Sequence, residues 1–264
     1  MGSLLFVSLL LVAGSFAVSW WSRHRASRAQ AIVLAAEVPV AQLAEDAASV
    51  AKEMGAGSFR ETVKIRGRII CESPLVAELS HTLCVSYRFS VTREYEEVLW
   101  ERGHEGNSVQ RVQRRSEIVA SNEAMTPFWL DDGTGRILVQ PDHAQIDRIK
   151  SYSSFQPVQA VGTALAVGSF VLNLGSHPGG TLGYRYEEFS LPLDQEVTVV
   201  AEAGDVGGQL ALRRPESEGT PFLVTSRSLQ DLARKDRTMV TILNGVSIGL
   251  AAVAVLIFLL GVVR

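Results

Sequence analysis

Cys71, His81 and Cys84 form the one short-range cluster of metal-ligating residue types in the chain. Thiolate and imidazole are zinc ligands, but structural zinc sites place two of them on a C-x2-C knuckle. The C-x9-H-x2-C spacing here has none. His143 is the remaining candidate for a fourth ligand. In the alternative reading both cysteines flank a turn between two strands and stay reduced in a cytoplasmic domain. Asp131-Asp132 offers paired carboxylates for acid–base or metal chemistry, yet it opens a DDGTGR run, where aspartates bond their own backbone in turns. Gly245-Val246-Ser247-Ile248-Gly249 matches GxSxG, but a nucleophile elbow needs a strand-to-helix turn and this stretch sits inside an uncharged, helix-length run. His104-Glu105 lacks the second histidine of a zincin, and the chain has neither a phosphate loop nor a GxGxxG. No catalytic, cofactor-binding or metal residue is therefore assigned, and no cofactor is expected.

The composition narrows the classes further. There are 25 basic and 28 acidic residues among 264, a formal charge of −3, which argues against a strongly basic nucleic-acid binder. Arg111, Arg114 and Arg115 form a small basic cluster without interleaved aromatics, so no nucleic-acid partner is expected. The acidic stretch Arg93–Glu105 is expected on a neighbouring strand, partly neutralising it. Two cysteines and five histidines cannot fill the eight ligand positions of a cross-braced two-zinc RING.

Two uncharged runs stand at the ends, residues 2–21 and 238–263. A helix of about 20 apolar residues crosses a ~30 Å hydrocarbon core, and Trp20 and Trp21 suit an interface. The first run could instead be a cleaved signal peptide, but MGSLLF lacks the basic n-region. Arg23, Arg25 and Arg28 follow the first run, and Arg227, Arg234, Lys235 and Arg237 precede the second. The positive-inside rule then places the middle of the chain in the cytoplasm. The expectation is a two-pass integral protein of a prokaryotic cytoplasmic membrane, or alternatively of an organelle envelope. Its bilayer is one partner and an unidentified protein another. Small residues four apart, Ala13 and Ala17 in one run and Gly245 and Gly249 in the other, suggest helix–helix association.

Between the runs, residues 22–60 read as a juxtamembrane linker with a short helix over Ala41–Met54, where Leu43, Ala47, Val50 and Met54 share a face. Residues 61–228 read as a β-rich domain. Val63, Ile65, Gly67 and Ile69 alternate with Lys64, Arg66 and Arg68, and Val85, Tyr87, Phe89 and Val91 alternate with polar residues. A strand is expected over Ser108–Ala120, and a hairpin around DDGTGR. The residue runs 197–201, 209–213 and 222–225 complete the strands. Val158–Leu174 is apolar but shorter than a span, so a buried or membrane-surface segment is expected. Residues 229–237 read as a helix leading into the second run. The expected fold class is two terminal transmembrane helices flanking a β-rich (α+β) domain, closed as an OB-like barrel.

VKIRGRIICESPL, CVSYRFSVTREYEE, TPFWLDDGTGRILVQP, LGYRYEEFSLPLDQEVTVVAEA and GTPFLVTSRS, in that order, resemble the GIDE or BAM ("beside a membrane") domain over about Thr62–Ser228. That domain lies between two transmembrane helices in membrane-embedded E3 ubiquitin ligases of mitochondrial and chloroplast outer membranes. The resemblance implies a substrate-binding role beside a C-terminal RING that recruits the ubiquitin-conjugating enzyme. Here the sequence ends at Arg264 without RING ligands, and Ala201 stands where a glycine is expected, so no ligase residue carries over. The expected function is a membrane-anchored, RING-less protein-binding or scaffold module. The alternatives are an E3 ligase component working with a separate RING partner, and a lipid-binding protein using Val161, Leu165 and Phe170.

Overall fold

The computed structural model describes residues 13–20, 35–102, 108–158, 164–167, 170–173, 180–206, 209–216, 220–227 and 229–263. Backbone alone is described at 101–102, 108–109, 164–167, 170–173, 206, 229–238, 240 and 258–263. Strands β1 (Ala36–Glu37), β2 (Arg60–Ile70) and β3 (Leu75–Val76) precede a long hairpin of β4 (Leu83–Arg102) and β5 (Ser108–Met125). Next come β6 (Phe128–Asp131), β7 (Arg136–Val139), β8 (Gln145–Ile146), β9 (Ile149–Pro157), β10 (Ala164–Val167) and β11 (Phe170–Asn173). The last strands are β12 (Gly180–Pro192), β13 (Glu196–Val206), β14 (Gln209–Arg213) and β15 (Leu223–Thr225). Residues 13–20 are helical, helix Val40–Met54 lies between β1 and β2, and helix Leu229–Val263 follows β15.

Five strands close into a barrel in the cyclic order β2-β6-β7-β14-β13, because β13 pairs with β2 as well as with β14. All its neighbours are antiparallel except β7 and β14. The alternation that marks β2 in the sequence fills the inside. Val63, Ile65 and Ile69 are buried with Phe128, Leu130, Ile137, Val139, Val199 and Leu212, while Arg66 and Arg68 face solvent.

The Val40–Met54 helix packs Val40 and Leu43 against this core. Its N-cap residue is Pro39, which makes no side-chain cap. The missing acceptor comes from the β6–β7 turn: Val40 N donates to Asp132 Oδ2 at 2.8 Å, and Ala41 N to Thr134 Oγ1 at 3.2 Å. Asp132 Oδ1 meanwhile accepts from Thr134 N, Thr134 Oγ1 and Gly135 N. Burial opposes ionisation of this carboxyl, but the hydrogen bonds from Val40, Thr134 and Gly135 outweigh it and hold its pKa below the ordinary range. Replacing Asp132 by Asn should lower stability by about 1 kcal/mol at neutral pH: asparagine is as good a cap, but its amide N–H2 would face one of the two donor sets that the carboxylate oxygens accept from. Because the folded pKa is the lower one, the difference persists above the unfolded value near 4 and fades as pH falls through the folded value. Thermal melts of both proteins across acid pH check this.

A second sheet is built from two insertions into the barrel. The β4–β5 hairpin leaves between β2 and β6, and β9 to β12 leave between β7 and β13. They meet where β4 pairs antiparallel with β12, giving the order β5-β4-β12-β9. Tyr87, Phe89, Val91, Tyr184 and Tyr186 form the second core on one face.

Several expectations are corrected. Among the described residues no helix is long and apolar enough to cross a membrane. This overturns the fold class with two terminal transmembrane helices and the two-pass integral membrane protein. The cytoplasmic-membrane and organelle-envelope placements rested on those spans and fall with them, as does the charge-based orientation. Most of residues 2–21 lie outside the described residues. The β-rich reading itself meets a closed five-stranded barrel. In the second sheet, β4 runs through the charged REYEEVLWE stretch, and β9 and β12 are strands whose sequences show no apolar alternation.

Candidate functional site

Among the described residues the β4–β5 hairpin reaches beyond its pairing with β12. The last described β4–β12 pair is Gly180↔Glu96, whereas β4 and β5 stay paired to Arg102↔Ser108. Near its base the register shifts between Val91↔Ala120 and Thr92↔Ile118, so Val119 is an extra residue on β5, a β-bulge. Bulges bend a strand and increase its twist. Beyond the bulge, one face of the ribbon carries Val98 opposite Val112, with Trp100 and Ile118 on the same side. All four are exposed, Trp100 at 69% and Ile118 at 68%.

Charges hold this ribbon in place. Arg114 and Glu96, directly opposite, form an ion pair at 3.3 Å, and Arg115 reaches Glu97 at 2.6 Å. At the base, the Arg93 guanidinium is buried over the Tyr95 ring and donates to Thr181 Oγ1 and Glu117 Oε1. Arg185 of β12 pairs with Glu94 and lies over Phe155 of β9. The basic cluster and the acidic stretch seen in the sequence are thus brought together on adjacent strands.

At the other end of the same sheet stands Glu188, fully buried on β12. Its carboxylate accepts from Leu79 N (2.6 Å), Ser80 N (3.1 Å), Ser80 Oγ (2.5 Å) and Ser151 Oγ (2.9 Å). It pins the turn between β3 and β4 to the sheet. The period-two run Tyr184, Tyr186, Glu188, Ser190 was the available signal for it, since a charged residue sits in an inward-facing row.

At the barrel rim lies a cleft of about 510 Å³ lined by Arg66, Arg68, Asp131, Asp132, Asp194 and Glu196. Three of its six charged side chains are held in ion pairs. Arg66 makes a two-pronged contact with Glu196, and Asp131 pairs with Arg136.

The residues singled out by sequence disperse. Cys71 is half-buried, its Sγ 3.6 Å from Pro127 O. Cys84 is buried on β4 opposite Leu75. Burial first, and the Glu188 charge second, push its thiol up to about 11. It should alkylate at least tenfold more slowly than Cys71 at pH 8, because the thiolate is the nucleophile. Its contribution to stability should be lost as pH rises from about 9 through 11. Peptide mass mapping after timed iodoacetamide exposure tests the first point. His81 and His143 both sit in turns with positive φ, at 54° and 63°. Among the described residues no three His, Cys, Asp or Glu side chains gather into a metal site. Asp131 and Asp132 serve the turn, the first accepting from Gly133 N. Ser247 lies in a helix and donates to Ser15 O at 3.0 Å, so the contact between the terminal helices runs through it. A Cβ added at Gly245 or Gly249 would meet nothing within 4 Å. His104, Glu105 and Val161 lie outside the described residues. Leu165 and Phe170 belong to the β10–β11 hairpin.

A family model described as GIDE, E3 ubiquitin ligase, matches residues 97–261. The E3 ubiquitin-protein ligase SPL1 of Arabidopsis thaliana is 26% identical over 197 residues, covering 74% of this chain and 54% of that protein. The chain thus spans about half the length of the curated relative it matches. No solved structure matches.

Proposed function

Since this chain belongs to the GIDE family, whose model covers more than half of it, we propose that it is a protein-recognition module that holds a partner for ubiquitin transfer. A function related to that of E3 ubiquitin ligases follows from the family match and from the ligase-named relative. The transfer chemistry is supplied by a RING of another domain or subunit. The supporting observation is the ribbon beyond Glu96. It offers Trp100, Val98 and Val112 to solvent, with Ile118 nearer the base on the same face, rimmed by arginines and glutamates. Exposed aromatic and arginine residues inside a polar rim are the composition of protein interfaces. The ribbon also grows from the connection between the first two barrel strands. In OB-type barrels that is one of the loops that hold ligands, an analogy of fold alone.

Trp100→Ser combined with Val112→Ser in the full chain should leave the melting temperature unchanged. It should reduce ubiquitin conjugates co-purifying with the protein at least tenfold. Undiminished conjugates on the double variant would overturn the reading.

A further inference from the structure

The unpaired edge of β5 shows how such a partner would be held. We infer that residues 110–118 of β5 accept an extended partner segment as an added strand, with apolar residues on one of its faces and acidic residues on the other. The inference rests on the recognition role of the ribbon.

β5 pairs with β4 along its whole length, and among the described residues no strand lies on its other side. Its N–H and C=O groups on that side are therefore open to main-chain pairing, the basis of strand addition. Residues 110–118 are all exposed, and the register is regular until the bulge at Val119. Among the described residues the ribbon beyond Glu96 has two strands. A two-stranded hairpin is marginal in water, and a third strand stabilises it.

Side chains specify the occupant. On one face of β5 an added strand would run beside Val112, Arg114 and Ile118, and on the other beside Arg111, Arg115 and Glu117, the last already bonded to Arg93. Arg114 and Arg115 use part of their donors on Glu96 and Glu97, yet stay 79% and 49% exposed. Residues 110–118 hold three arginines against one glutamate, Glu117. Charged edges guard against unwanted pairing, and here the guard is selective. A second copy laid β5 against β5 would bring arginine beside arginine, and like charges directly opposite are unfavourable. An acidic strand meets the opposite sign. β5 also lacks proline over its 18 residues, so no backbone donor is missing.

The test uses the full chain and a fluorescent acetyl-(Val-Glu)4-amide followed by anisotropy. Binding is expected, at least tenfold weaker for the (Val-Lys)4 counterpart. The Arg111→Glu, Arg115→Glu variant should reverse that preference. Backbone N-methylation at alternate residues should abolish binding in one phase and spare it in the other, because only every second N–H faces the edge. Equal binding of both methylated phases, or of both charge types, overturns strand addition. So does self-association that the acidic peptide fails to displace, since a second copy would then own the edge. A Val-Glu peptide that does not bind, while the Trp100, Val112 variant still loses its conjugates, also removes strand addition and leaves the recognition role standing.

Discussion

Glu188→Ala should lower the unfolding free energy by about 3–5 kcal/mol, the largest loss expected from any single polar residue here. The carboxylate is fully buried, and four donors converge on it. The two serine hydroxyls can rotate toward other acceptors. The N–H groups of Leu79 and Ser80 cannot, and each buried donor without a partner costs about 1–3 kcal/mol. Glu188→Gln keeps one carbonyl but turns an amide N–H2 toward a set of donors, so an intermediate loss near 2 kcal/mol is expected. Ser151→Ala removes one donor and leaves the carboxylate well bonded, for a loss under about 1 kcal/mol. Urea unfolding of the three variants would show this order, and an alanine variant within 1 kcal/mol of the parent would refute it. A second readout comes from Cys84. The turn that Glu188 holds packs Ala77 and Leu79 into the same core as Cys84. Its alkylation should therefore accelerate in Glu188→Ala and not in Ser151→Ala.

Gly67→Ala should cost at least about 2–3 kcal/mol, as overpacking against a part that cannot yield. A Cβ at position 67 would stand 2.6 Å from Asp131 O and 2.9 Å from Asp131 C. Those are backbone atoms of β6, held to β2 by the pairs Arg68↔Asp131 and Ile69↔Leu130. The substitution therefore pushes apart the β2–β6 pair of the barrel. Gly245→Ala supplies the control, because a Cβ there meets nothing within 4 Å. Its stability should not fall and should rise by about 0.5–1 kcal/mol, the gain in helix propensity of Ala over Gly. Indistinguishable melts of Gly67→Ala and the parent would show that β6 yields after all.

The barrel strands are the part of the fold most legible in the chain. β2 alternates cleanly because one face is wholly buried and the other is basic, and the DDGTGR turn announces β6 and β7. β12 is central in its sheet yet was not legible. Its inward row holds Tyr184, Tyr186, Glu188 and Ser190, so the apolar alternation is broken by groups that are satisfied only by partners distant in sequence. β9 is an edge strand whose side chains are mostly half-exposed or exposed, and it has no period to read. The ribbon was half legible. Its opposite charges were visible as two blocks, but Val98 and Trp100 project into solvent, and hydropathy alone cannot distinguish an exposed apolar residue from a buried one. The helix entry at Val40 shows the same limit, since its cap is Asp132, 92 positions away.

The barrel draws its five strands from three separated stretches of chain, with residues 71–127 and 140–195 looped out between them. Closure must bring these stretches together before the β2–β13 seam rewards it, and that loop-closure entropy is unfavourable at the outset. The looped-out segments can form local structure early, since β4 and β5 pair as near neighbours in sequence. The order of events follows: hairpins first, their docking through β4 and β12 next, barrel closure last. Contacts of such long range slow folding. The ribbon edge would then be present and unguarded by a finished barrel during refolding, the interval in which β5's arginines keep one nascent chain from joining another.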